Sequence, residues 1–364
     1  MCSPCECGEK EQSCKTQLEP VDFSPKVCRR CGAEPFVIID KVRVECRQCF
    51  LEFCNKKFRT TIGKSKLVKN NACILVAYSG GQNSTALLDL INNSIRMETR
   101  REQKFRVAVI HVDTDTAKLK KPEESDSDYL NRRADELFRR LELLSTTYPG
   151  WPIYFTNIEQ HFKIGGTAQN DCNQSSNALN YLKFDSHVNQ GLIKALLDDH
   201  ESWKNLEATL EEFSDLTDKQ KHIDKSCSAL IERVARQINL SIEHENDKFE
   251  YILTGSCATR LANDLLVDVV LGQGSSIGSS VSICDRRAYV PVMRPLREFN
   301  TKEIAFYLQA REILTNVFAT PNLLTFQNRK ASIQNVTEAF LSKLFLDYPS
   351  TYSTLLRTGS KMTE

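Results

Sequence analysis

Cys73-Ile74-Leu75-Val76-Ala77-Tyr78-Ser79-Gly80-Gly81-Gln82-Asn83-Ser84-Thr85 decides the fold. Six apolar residues in a row, ended by two glycines and hydroxyl side chains, read as a buried parallel strand running into a tight turn. A helix signal follows from Ser84 through Ile91, and Phe105 to Val112 forms a second strand ending at Asp113 and Asp115. Strand, helix and strand imply a right-handed crossover and an α/β domain.

Outward from this unit the alternation continues. Leu130, Ala134, Leu137, Leu141 and Leu144 share one face of a helix expected over 126–148. A strand is expected at 152–156, a helix near 229–238, a strand at 251–254 and a helix from about 258 to 271. Residues from about 160 to 224 are rich in Asn, Gln, Ser, Asp and Lys, and read as an insertion of helices and loops outside the core. The expected layout is a tail over 1–25, a four-cysteine ribbon over 26–58, a basic connector over 59–72, the α/β domain over 73–320 and C-terminal helices over 321–364.

The 48 basic and 47 acidic side chains nearly cancel, so nucleic acid binding would need local patches rather than global charge. No run approaches the ~20 apolar residues of a membrane span, and no signal-peptide pattern opens the chain, so a cytosolic or nuclear home is expected. Of the 14 cysteines, ten lie at or before Cys73. Thiols gathered at one end point to metal binding rather than to a secreted disulfide scaffold.

Cys28, Cys31, Cys46 and Cys49 form a Cys-x2-Cys-x14-Cys-x2-Cys arrangement. Two knuckles joined by a hairpin supply a closed shell of four sulfurs, which is a structural rather than catalytic site. Softness and closure favour zinc; iron takes the same donors. Gly32 supplies the positive φ that such a knuckle needs. Cys2, Cys5, Cys7 and Cys14 lack flanking turn signals and read as part of the tail.

The loop Ser79, Gly80, Gly81, Asn83 and Ser84 lies where backbone amides at a helix N-terminus suit phosphate. A tight strand-to-helix turn would also account for the glycines. Gly-x4-Gly-Lys and Gly-x-Gly-x2-Gly are both absent, which disfavours Walker-type and dinucleotide binding. Basic residues Lys56, Lys57, Arg59, Lys64 and Lys66, with Arg29 and Arg30, offer an RNA-backbone surface, and Arg260 adds a candidate RNA or loop contact. Thr254-Gly255-Ser256 could line the loop or simply open a helix. Cys257 reads as a core residue, and Asp113 and Asp115 as solvated loop ends.

The loop resembles the Ser-Gly-Gly-x-Asp-Ser loop of ATP pyrophosphatases, with Asn83 at the Asp position. Losing that charge weakens Mg²⁺-ATP binding, so little or no ATP turnover is expected. Cys28 through Phe50, Lys57-Phe58-Arg59, the loop, Thr254 through Ala262, Val292 through Glu298, Lys302 through Tyr307 and Tyr348 through Thr351 occur in the order of the cytoplasmic tRNA 2-thiolation protein 2 family, which the chain resembles. The resemblance implies a Rossmann-like adenine nucleotide alpha hydrolase fold and a cytoplasmic heterodimer with tRNA 2-thiolation protein 1. It further implies wobble-uridine 2-thiolation of tRNA, giving 5-methoxycarbonylmethyl-2-thiouridine, with sulfur from a ubiquitin-like carrier. The catalytic partner type uses a Cys pair and a third Cys; here the helix with Cys227 offers one, and residues 315–320 offer none. A non-catalytic subunit is therefore expected. An ATP-dependent sulfurtransferase active alone and a zinc-ribbon protein scaffold are the alternatives. Family members carry a further C-terminal Cys cluster that is missing before Glu364, so a shorter or incomplete C-terminus is expected.

Overall fold

The computed structural model describes residues 27–39, 43–65, 67–69, 71–96, 105–115, 125–163, 181–274, 277–318, 322–325, 327–328 and 330–363. The tail expected over 1–25 and its four cysteines, Lys66, and Ala319 and Thr320 lie outside them. The chain divides into two units, Met1–Cys49 and Phe50–Glu364.

In the first unit the β-branched run forms β1 (Val37–Ile39), which pairs antiparallel with β2 (Arg43–Glu45), Ile38 opposite Val44. The second Cys pair straddles the start of α1 (Arg47–Ser65), a 19-residue helix. Residues 50–58, expected in the ribbon, and 59–65, expected as connector, are thus helical, and the first unit ends at Cys49. Their basic residues interrupt no helical preference, because Lys and Arg are good helix formers.

In the second unit, β3 (Cys73–Tyr78), α2 (Gln82–Arg96), β4 (Arg106–Asp113), α3 (Asp126–Thr147) and β5 (Ile153–Asn157) follow the expected alternation. Ser125 caps α3 by accepting from the Asp128 amide. Next come β6 (Leu182–Phe184), α4 (Gln190–Leu197), α5 (His200–Glu211) and α6 (Leu216–Ser241). This region departs from the expected insertion outside the core. Strand β6 extends the sheet, and Leu206, Leu210 and Ile223 join the main apolar core with Leu75, Ile110 and Ile252. Polar composition hid sparse apolar positions that nevertheless share the buried helix faces.

The chain then forms β7 (Tyr251–Leu253), α7 (Ala258–Val270), α8 (Ile277–Val281), β8 (Cys284–Asp285) and β9 (Val292–Met293). It ends with α9 (Thr301–Arg311), α10 (Ile333–Asp347) and α11 (Thr351–Gly359). A capping box of Asn300 and Glu303 starts α9. Among the described residues no helix is long and apolar enough to cross a membrane.

The seven strands lie in the order β6-β5-β4-β3-β7-β9-β8, parallel from β5 through β9 and antiparallel at both edges. From β3 the chain winds outward to β4 and β5, then returns to the other side with β7 and β9. The winding reverses between β3 and β7, and a crevice opens there at the carboxyl ends of the strands. The candidate loop stands in that crevice.

Candidate functional site

Gly80 adopts φ 87°, which a residue with a Cβ rarely tolerates, and this bends the chain from β3 into α2. The loop hydroxyls hold one another: Ser84 Oγ donates to the Gly81 carbonyl at 3.0 Å and accepts from the Ser79 amide at 3.3 Å. The Phe318 amide donates to the Gly80 carbonyl at 2.9 Å, so the segment after α9 covers the loop. Across the crevice, a Cβ on Gly255 would stand 3.0 Å from the Asn83 carbonyl carbon and the Ser84 nitrogen. Only glycine lets the Thr254-Gly255-Ser256 backbone approach the loop this closely. Asn83 turns its amide to Cys257, Nδ2 donating to Sγ at 3.4 Å.

A cavity of about 220 Å³ opens beside the loop, lined by Ser79, Asn83 and Ser84 together with His111, Arg140, Cys227 and Arg260. Asn83 and Arg260 also line a second, more polar cavity of about 420 Å³ that contains Asp224, Cys257 and Asp264. Arg260 and Asp264 are exposed residues in its lining; partial desolvation there, with Asp224 and Asp268 nearby, raises the Asp264 carboxyl pKa.

His111 is 1% exposed. Its Nδ1 faces the Tyr78 carbonyl at 2.8 Å, and burial lowers its pKa to about 4, so the ring is neutral with Nδ1–H donating. Its Nε2, an acceptor in that tautomer, and Arg140 Nε are buried without a partner among the described residues. Arg140 also packs its guanidinium 5.3 Å from the Phe318 ring centroid.

Asp113 and Asp115 depart from the expected solvated loop ends. Asp113 is 2% exposed and accepts from Arg133 Nε at 2.6 Å, while Arg133 Nη1 donates to Glu159 at 2.7 Å. Arg140 stands 3.6 Å from Asp115. Sequence reading missed Arg133 and Arg140. The available signal was two arginines seven residues apart within the apolar stripe of α3, a position that demands buried acidic partners.

The basic residues do not assemble as one surface. Lys56, Lys57 and Lys64 line a groove along α1, whereas Arg260 lies at the loop. Lys57 Nζ donates to both carboxylate oxygens of Glu303, at 2.9 and 2.8 Å, and its charge is thereby engaged within the fold. Arg59 is half-buried, and its Nε has no partner among the described residues.

In the first unit, the sulfurs of Cys28, Cys31, Cys46 and Cys49 all lie within 4.8 Å of one another. Cys31 Sγ is 3.5 Å from Cys46 Sγ and 3.7 Å from Cys49 Sγ. Tetrahedral thiolates about 2.3 Å from one ion stand roughly 3.8 Å apart, so the quartet fits a single metal ion. A cubane cluster, with each thiolate on a separate iron, holds its sulfurs farther apart. Gly32 has φ 73° and donates to the Cys28 carbonyl at 2.8 Å, completing the first knuckle. The Cys46 amide lowers the Cys28 thiol to about 6, whereas burial and the neighbouring sulfurs push Cys49 up to about 12. Four thiolates this close need a cation between them.

No protein-family model matches the chain. It is 26% identical over 368 residues to a Danio rerio protein, covering 96% of this chain and 70% of that one. It is 28% identical over 339 residues to a Drosophila mojavensis protein (92% and 71%) and 26% over 393 residues to one from Xenopus tropicalis (98% and 72%). All three carry one name. Over almost its whole length the chain is similar to cytoplasmic tRNA 2-thiolation protein 2. Another tRNA 2-thiolation protein 2, from Aedes aegypti, is matched over 66% of its length. Among solved structures, the U34-tRNA thiolase NcsA from Methanococcus maripaludis with its [4Fe-4S] cluster shares the fold. Its TM-score is 0.58 at 12% identity, over 94% of this chain and 88% of that one. Among the described residues here, the four cysteines are the one cluster suited to a metal.

Proposed function

We propose that this chain works in the 2-thiolation of the wobble uridine of tRNA, in the cytoplasm, as a subunit that does not itself transfer sulfur. One observation carries the non-catalytic part. The loop position that would hold a metal-binding carboxylate is Asn83, whose amide is turned to Cys257, and among the described residues the cavity beside it is lined by a single thiol, Cys227. The tRNA part rests on similarity over 92 to 98% of the chain to proteins named for that reaction and cellular compartment.

In this reading a catalytic paralogue, the tRNA 2-thiolation protein 1 type, adenylates the uridine and accepts sulfur from a thiocarboxylated ubiquitin-like carrier. This chain contributes tRNA contacts and a docking partner. Lys56, Arg59 and Lys64 on α1 are the proposed RNA contacts, with Lys66 and Arg260 as further candidates. Cys28, Cys31, Cys46 and Cys49 would hold zinc, which supplies folding energy to the ribbon and takes no part in chemistry. A sulfurtransferase active alone is disfavoured, since Asn83 removes the charge that anchors Mg²⁺ on ATP.

The test is the thiolation state of the wobble uridine in bulk tRNA from cells lacking the protein, and from cells rescued with Asn83→Ala. Loss on deletion and recovery with the variant is the expected result. Unchanged thiolation on deletion would overturn the tRNA reading, and failure of a folded, paired Asn83→Ala protein would overturn the non-catalytic one.

A further inference from the structure

A groove of about 890 Å³ runs along α1. Phe53, Thr60 and Ile283 line it with Lys56, Lys64 and Arg297. Its lining is mainly apolar, with the Lys57 ammonium 5.4 Å from the Phe53 ring centroid. The rim charges differ in availability. Arg297 donates to the Val281 carbonyl and to Glu298, and Lys57 is held by Glu303. Lys56 and Lys64 are exposed and pair with no acid among the described residues.

Eight residues separate these two lysines, about 12 Å along a helix, so two cations stand over one apolar trough. A duplex presents phosphates and buries its base faces, and cannot use such a trough. Unpaired RNA presents a polyanionic backbone together with apolar base faces, and proteins hold it with basic rims and aromatic platforms. Charge and apolarity are therefore both complementary to single-stranded RNA.

We propose that the α1 groove is a binding site for a short unpaired stretch of RNA, with bases against Phe53 and backbone phosphates on Lys56 and Lys64. The assignment rests on the tRNA reading above and narrows it from a basic surface to one groove and to loop rather than stem nucleotides.

The experiment uses the full chain and three probes at fixed ionic strength: a whole tRNA transcript, an unstructured oligoribonucleotide, and a duplex RNA of the same length. Binding is measured for the wild type, Phe53→Leu, and Lys56→Glu combined with Lys64→Glu, with thermal unfolding confirming that the variants fold. The expected result is tighter binding of the oligoribonucleotide than of the duplex. Phe53→Leu should weaken the former roughly tenfold by removing one stacking platform. The double lysine variant should weaken both tRNA and oligoribonucleotide and reduce the slope of log affinity against log salt by about 1.4, for two phosphates. Equal affinity for duplex and single strand, or folded variants that bind tRNA like the wild type, would overturn the groove while leaving the tRNA reading standing. A wild-type chain that binds none of the probes would overturn both. Unchanged RNA binding with loss of a protein partner in the variants would assign the groove to an acidic peptide instead.

Discussion

Asn83 Nδ2 lies 3.4 Å from the buried Sγ of Cys257, so this loop side chain is directed at sulfur. An amide offers a cation no formal charge, and it leaves phosphate to the loop amides and nearby arginines alone. Nucleotide affinity of the wild type is expected to be insensitive to Mg²⁺. Asn83→Asp restores a carboxylate, and its ATP affinity should rise roughly tenfold when Mg²⁺ replaces EDTA. Titration calorimetry in both conditions checks this. Wild-type binding that collapses in EDTA would contradict it.

The sulfur quartet predicts one bound ion per chain, lost on removing any ligand. Cys49→Ser should abolish stoichiometric metal and loosen the β1–β2 unit, whereas Cys54→Ser, a buried thiol outside the quartet, should retain it. Elemental analysis of the purified proteins gives both the count and the element. Iron in place of zinc would correct the choice of metal, and an unchanged metal content in Cys49→Ser would refute the site.

The ribbon, the loop and the alternation of strands and helices were legible because each rests on local rules. Cys-x2-Cys knuckles, a Gly-Gly turn after six apolar residues, and the stripe from Leu130 to Leu144 need no tertiary knowledge. What escaped was set by distant partners. Asp113 looks like a loop aspartate until Arg133, twenty residues on, is seen to bury it. Lys57 looks like an RNA contact until Glu303 closes on it across 246 residues. Pairings of that range cannot be read from spacing, and the polar stretch around α5 concealed core positions such as Leu206 for the same reason.

The Asp113–Arg133–Glu159 cluster ties the end of β4 to the end of β5 through α3. Burial alone would raise the Asp113 pKa, yet Arg133 holds it below the usual carboxylate range. Replacing Arg133 with Met leaves two carboxylates without their cation, an expected loss of roughly 3–5 kcal/mol in urea unfolding. Adding Asp113→Asn and Glu159→Gln to that variant removes the uncompensated charge and should recover a substantial part. A single variant within 1 kcal/mol of the wild type would show that this cluster is not what joins the strands.

His111 makes stability depend on pH in one direction. An exposed histidine titrates near 6.5, whereas this buried ring titrates at about 4. Between those values the unfolded chain binds a proton that the folded chain excludes, so stability falls as pH falls. The contribution is nearly whole at pH 7, and about 2 kcal/mol of it should be lost by pH 5. His111→Asn removes the titrating group, and the variant should lose about 2 kcal/mol less than the wild type over the same interval. Urea unfolding of both proteins at pH 7 and pH 5 measures that difference, because the remaining groups titrate in each. Equal losses would mean that His111 is protonated in the folded state, with its Nε2 supplied by a partner inside the loop cavity.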